Sequence, residues 1–192
     1  MTWRRILPLL SDGLLMLREV SVKDADSLHA LVNSEAVRRH MTQPPPDSVE
    51  GFQRFVRWTQ TQRQQGALAC FAVLPVGAPK AVGLVQVWRV TPDFETAEWG
   101  IVLGETWWGR GVGRAAATLL FEFAFGNLNV QRLESRIAPE NDRGRKLMTR
   151  LGAKLEGVEN EQELWAVLAA DRDGASLART SRLTATGRFP VR

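Results

Sequence analysis

The chain is 192 residues long, 44% hydrophobic and 24% charged, with a formal net charge of +4 and a pI near 10.0. That length fits one domain and that composition argues against a disordered chain. The basic balance points to an anionic partner without choosing among nucleic acid, an acidic surface and a phosphorylated small molecule.

The opening "MTWRRILPLLSDGLL" has a short apolar patch, broken by Pro8 and followed by charge. It reads neither as a signal peptide nor as a membrane span, so a cytoplasmic location with no membrane partner is the expectation. Residues 13–22, "GLLMLREVSV", read as a first strand. Ser21 and Asp24 give a capping-box signal ahead of "ADSLHALV", whose Ala25, Leu28, Leu31 and Val32 share one helical face. "TQPPPDSVE" breaks the chain, and Asp47 with Glu50 opens a second helix that carries Phe52, Phe55, Val56 and Thr59 on one face and ends at Gly66. His29 and His40, in or beside these helices, read as surface residues.

Runs 68–74, 81–90 and 97–103, rich in Val and aromatic residues, predict a three-stranded antiparallel meander. Cys70, the single cysteine, lies in the first of them; it excludes an internal disulfide, lacks companions for a metal site and reads as a buried structural thiol. Next comes "WWGRGVGRAAATLLFEFAF", residues 107–125, a glycine turn that runs into an apolar helix. A strand at 132–138, a helix at 142–152 closed by Gly152, and strands at "AKLEGV" and "ELWAVLA" complete the order β-α-α-β-β-β-α-β-α-β-β. A meander followed by alternating strands and helices predicts a mixed α/β sheet covered by helices. The expected organisation is one domain over 1–170 and a loosely packed tail over 171–192, where five arginines face two aspartates.

The glycine turn carries the chemistry. A helix start leaves backbone N–H groups unpaired under partial positive charge, so a phosphate binds there without a charged side chain. Gly109, Gly111 and Gly113 let the backbone approach an anion closely, and Arg110 and Arg114 add charge; a pyrophosphate suits the place. The spacing is not that of a nucleoside triphosphatase loop, and it meets the dinucleotide fingerprint only loosely, with Ala116 as the third small residue. A tight strand-to-helix turn without a ligand remains the alternative on the motif alone.

"W-G-R-G-V-G" resembles the pyrophosphate-binding motif of the GNAT superfamily of N-acetyltransferases: Gln or Arg, two residues, Gly, one residue, Gly or Ala. Trp108 stands at the Gln or Arg position, while Gly111 and Gly113 match. With "AEWGIVL" before it and "RLESRIAPENDRGRKLMTRLGAKLEGV" after it, the chain is similar to the RimJ/RimL-type branch, which includes ribosomal-protein N-terminal alanine acetyltransferases. The resemblance implies a mostly antiparallel, splayed central sheet with acetyl-CoA, as cosubstrate, between strands 97–103 and 132–138. It implies that backbone groups of Val102 and Leu103 pair with the pantetheine arm. The amides of Gly109, Arg110, Gly111, Val112, Gly113 and Arg114 would hold the pyrophosphate, beside Trp108. Asn141 would border the thiol arm and Lys146 would reach a phosphate; as plain sequence, Asn141 also reads as a helix cap and Lys146 as a solvated lysine.

An amine must be neutral to attack a thioester. Near neutral pH an α-amino group of pKa ~7.7–8 costs about 0.5–1 kcal/mol to deprotonate, against about 4 kcal/mol for a lysine near ~10.4. Glu98, at the position of an acidic residue often proposed as base in this branch, is the candidate catalytic residue, a partly exposed strand Glu being the alternative. The acid is missing: the chain has no tyrosine, and Gly144 stands where the branch often has Ser. A thiol of pKa near ~8.5 leaves tolerably without one, and a backbone N–H of strand 97–103 would hold the developing oxyanion.

The reading is an acetyl-CoA-dependent N-acetyltransferase acting by direct attack in a ternary complex on a primary amine, a protein N-terminal α-amine first and a small-molecule amine second. The missing acid motivates a second reading, a non-catalytic acyl-CoA sensor or scaffold. Scattered arginines without a recognised motif argue against a nucleic-acid partner, and a homodimer is left open. Glu159, Glu161 and Glu163 near the last hairpin form an acidic patch that would attract a cationic amine, or a plain solvated loop.

Overall fold

The structure, a computed structural model, describes residues 2–41 and 43–173; the expected tail lies, from residue 174 on, outside the described residues. Eight strands form one sheet: β1 Leu10–Ser11, β2 Leu15–Glu19, β3 Leu68–Pro75, β4 Gly83–Arg89, β5 Thr96–Leu103, β6 Arg132–Ile137, β7 Lys154–Glu159 and β8 Gln162–Leu168. Their spatial order is β1-β2-β3-β4-β5-β6-β8-β7. The helices are α1 Ala25–Val32, α2 Glu35–Arg38, α3 Val49–Gln64, α4 Val112–Asn127, α5 Asp142–Arg150 and α6 Ala169–Asp173. None is long and apolar enough to cross a membrane.

The mixed sheet and the β3-β4-β5 meander are as the sequence predicts. Both sheet faces are covered, which explains the nearly unbroken apolar runs. Along β3, Ala69, Phe71 and Val73 join the core under α4, while Leu68, Cys70 and Ala72 alternate into a second core under α1 and α3. Burial pushes the Cys70 thiol well above its ordinary pKa, consistent with a structural role. Ala116, Ala117 and Ala124 are fully buried on α4 and let it approach the sheet closely. Edge-to-face pairs, Trp99 on Phe121 at 4.9 Å and Phe71 on Phe123 at 5.2 Å, fill the space between.

Three local expectations are corrected. The strand expected over 13–22 is shorter, because Asp12 Oδ1 accepts the N–H groups of Leu14 and Leu15 at 2.9 and 2.8 Å and turns the chain into the β1-β2 hairpin. At its other end the Asp24 carboxylate accepts Ser21 N–H at 2.9 Å and pairs with Arg18 at 2.7 Å, bending residues 22–24 into a 3-10 turn before α1. The cap of α3 is Ser48, whose hydroxyl accepts Gly51 N–H at 3.0 Å, and not Asp47. An unexpected single turn, α2, lies between α1 and α3.

One feature of the sheet positions the site. Every neighbouring pair is antiparallel except β5 and β6, which run parallel and pair only at Thr96–Arg132, Ala97–Leu133 and Glu98–Glu134. Beyond Glu98 the strands part, so β5 backbone groups that point toward β6 have no strand partner. The splay expected between 97–103 and 132–138 is present.

Candidate functional site

β5 leads through a 3-10 turn at Glu105–Trp107 into the glycine turn and α4. Gly109 and Gly111 have φ of +72° and +83°, left-handed values that cost an L side chain roughly 1–2 kcal/mol. Gly111 is the N-cap of α4, and open space surrounds the place where its Cβ would stand. The first intrahelical bond runs from Ala115 N–H to Gly111 O at 3.0 Å, which leaves the amides of Val112, Gly113 and Arg114 without an intrahelical acceptor. Gly113 serves packing: a Cβ there would meet Leu103 Cδ1 at 3.4 Å.

Trp108 has a role the sequence did not disclose. Its indole Nε1–H donates to Leu103 O at 2.9 Å and ties the turn to the end of β5. The guanidinium of Arg143, on α5, lies 3.5 Å above the Trp108 ring centre, so a cation missing at position 108 arrives from another helix.

The splay and the turn enclose a cavity of about 340 Å³. Of the residues that the resemblance assigns to acetyl-CoA, Val102, Leu103, Trp108, the three glycines, Arg114, Asn141 and Lys146 line it; Arg143 and Arg150 join them. Arg110 and Val112 lie outside its lining, and Arg110 sits instead over Trp107, 5.7 Å from the ring centre. Among the described residues four cationic side chains and no carboxylate border this space, a donor set that fits the phosphates of acetyl-CoA.

A larger cavity of about 990 Å³ opens against the same stretch of β5 between α1, α3 and the splay. Glu98 lines it, half-buried at the last register where β5 and β6 pair, with Arg136 Nη1 donating to its Oε2 at 2.7 Å. Burial raises the Glu98 carboxyl above its ordinary pKa; the Arg136 charge opposes and nearby Glu134 assists. Arg136 also holds Glu159 at 3.1 Å, and Glu163 accepts the Trp165 indole N–H at 2.9 Å and faces Arg145 at 3.7 Å. The acidic patch of the last hairpin is therefore largely paired within the protein and leaves only Glu161 without an ion pair among the described residues.

Asn141, Gly144 and His40 border both cavities. Asn141 is the cap of α5, its Oδ1 accepting Gly144 N–H at 2.9 Å. A serine at Gly144 would require its neighbours to shift: its Cβ would stand 2.9 Å from Asn141 Nδ2 and 3.0 Å from Ile137 Cγ2. Neither histidine is simply a surface residue. His29 Nε2 lies 3.1 Å from Asp47 O and must donate to it, and His40 is half-buried with Nδ1 lacking a hydrogen-bond partner among the described residues.

Comparison with known proteins agrees with this geometry. The chain is 26% identical over 149 residues to the N-acetyltransferase p20 of Bacillus licheniformis, covering 78% of this chain and 84% of that protein. It is 25% identical over 142 residues to the spermidine N(1)-acetyltransferase of Escherichia coli K12, covering 73% of each. Among solved structures, Mycobacterium smegmatis RimJ in complex with CoA-disulfide superposes with a TM-score of 0.74 at 19% identity, over 85% of this chain and 87% of that one. The acetyltransferase (GNAT) domain family matches residues 15–154, well over half the sequence. The chain belongs to the GNAT acetyltransferases and is an acetyl-CoA-dependent N-acetyltransferase.

Proposed function

We propose that the acceptor is a peptide N-terminal α-amine, with a small-molecule amine as the second reading, and that Glu98 takes its proton. The observation that carries this is the position of Glu98, in the wall of the larger cavity where the strands begin to part. A carboxylate whose proton affinity is raised by burial is a better base than a free one. It suffices for an amine of pKa ~7.7–8, whereas a lysine near ~10.4 asks about 4 kcal/mol more than neutral pH provides.

Acetyl-CoA supplies the acetyl group as a thioester. In this reading the amides of 109–114, with Arg114, Lys146 and Arg143, hold its phosphates, and Val102 and Leu103 offer the unpaired backbone edge of β5 to its arm. Asn141 borders the point where the two cavities meet, and a β5 backbone N–H beyond Glu98 is placed to hold the acyl oxygen. Arg136 orients Glu98 and keeps it charged. The sensor reading is set aside because the family transfers acetyl groups. A small-molecule amine stays in second place because the larger cavity is deep and aromatic.

Glu98→Gln tests the assignment. kcat/KM for a peptide amine should fall at least a hundredfold with acetyl-CoA affinity unchanged, and an unaltered kcat/KM would remove Glu98 from the chemistry.

A further inference from the structure

Resting on the reading of the larger cavity as the acceptor site, we propose that the acceptor carries one positive charge, its reacting amine, on an apolar body with an aromatic group. Polycationic amines are selected against. The walls carry the inference. Along α3, Phe52 and Phe55 meet edge to face at 5.9 Å, and Phe55 stacks with Trp58 at 6.0 Å and 30°. Across the cavity, Trp88 on β4 is the direct cross-strand partner of Glu98, and its ring spreads over Gly100, 3.5 Å from where a Cβ would stand. Gly100 thus keeps the floor free for an indole laid beside the base. Pro44, Pro45 and Pro46 line the cavity as well.

The charges offer a second ammonium no free partner. Glu98 is the only lining carboxylate among the described residues, and it is already paired with Arg136, which Glu134 and Glu159 also approach; exposed Arg89 lines the cavity as well. The other polar groups in the walls are the amides of Gln43, Gln62, Gln86, Gln162 and Asn141, the Ser135 hydroxyl and the His40 imidazole, none of them a carboxylate. A second ammonium would lose its water for an aromatic face, which offsets only part of the desolvation cost, and the one carboxylate in the wall is already bonded to Arg136. An apolar body loses nothing there and gains by leaving water. The cavity, at about 990 Å³, is at the upper end of ligand sites, enough for an arylalkylamine or the first residues of a peptide.

The experiment measures CoA thiol release by the full chain with 2-phenylethylamine, the peptide amides Ala-Phe-Phe and Ala-Lys-Lys, and spermidine, alongside acetyl-CoA affinity by calorimetry. The expected result is a kcat/KM at least tenfold higher for 2-phenylethylamine or Ala-Phe-Phe than for Ala-Lys-Lys and spermidine. Which of the two leads tells a small-molecule source from a protein N-terminus. Phe55→Ala and the half-exposed Trp58→Ala should shrink that ratio at least fivefold with acetyl-CoA affinity unchanged. Spermidine or Ala-Lys-Lys used as well as the apolar amines overturns the inference and leaves N-acetyl transfer intact. Acetyl-CoA binding without transfer to any of the four overturns the acceptor-site reading beneath it.

Discussion

Two cavities share the β5 edge and are built by opposite means. Among the described residues the smaller is bordered by glycine backbone and by four cations with no carboxylate, so its positive character comes from a helix start and from side chains together. The larger is a side-chain surface of Phe, Trp, Pro and Gln around one paired carboxylate, so its preferences depend on which residues happen to stand there. The contrast teaches that one wall is built from local backbone geometry while the other depends on side chains gathered from distant elements. The histidine, asparagine and glycine that border both cavities mark where the two chemistries meet.

The sharpest way to break the contrast is to damage one cavity and find the other affected. Glu98→Gln has the largest expected effect, a loss of ~10²–10³ in kcat/KM, and calorimetry should show acetyl-CoA binding as in the unaltered chain. Gly111→Asp should do the reverse: a side chain forced into φ of +83° and a carboxylate at the helix start should weaken acetyl-CoA about a hundredfold, roughly 2.7 kcal/mol. If Gly111→Asp binds acetyl-CoA normally, the glycine turn is not the phosphate cradle.

Arg136→Ala gives a smaller, pH-dependent effect. Burial raises the Glu98 carboxyl while Arg136 lowers it, so removing Arg136 raises it further. The base acts deprotonated, and the acid limb of the kcat/KM profile should therefore move to higher pH, with most of the rate recovered on its alkaline side. A limb that stays put, or moves down, separates Glu98 from that titration. The smallest effect is expected for Arg143→Ala, which removes the cation above Trp108 and should weaken acetyl-CoA about threefold by calorimetry.

Much of the small cavity was legible because its parts are contiguous. Gly109 to Arg114 form one strand-to-helix turn, and both the glycine conformations and the free amides follow from that local geometry. Its cationic wall was legible only in part: Arg114 and Lys146 were expected, whereas Arg143 and Arg150 were not, although their spacing of i, i+3 and i+7 puts them on the same face of α5 as Lys146. Arg110 errs the other way, adjacent in sequence yet turned onto Trp107. In the larger cavity, the face of Phe52, Phe55, Val56 and Thr59 was visible as a helical stripe. Its division was not: Phe52 and Val56 pack into the core, while Phe55 is half-buried at the cavity.

By itself the sequence determined most of the order of strands and helices and the phosphate-ready turn, because period, capping and short motifs are written between residues a few positions apart; it also showed the absence of a tyrosine acid, while Glu98 was singled out only by resemblance to a family. Only the tertiary structure decided that Arg136 holds Glu98, that Arg143 covers Trp108, that Glu159 and Glu163 of the hairpin are paired, and that Trp88 faces Glu98 across the strands. Those contacts join residues on different elements, and they exist only once the sheet has set its register and its helices have closed over both faces.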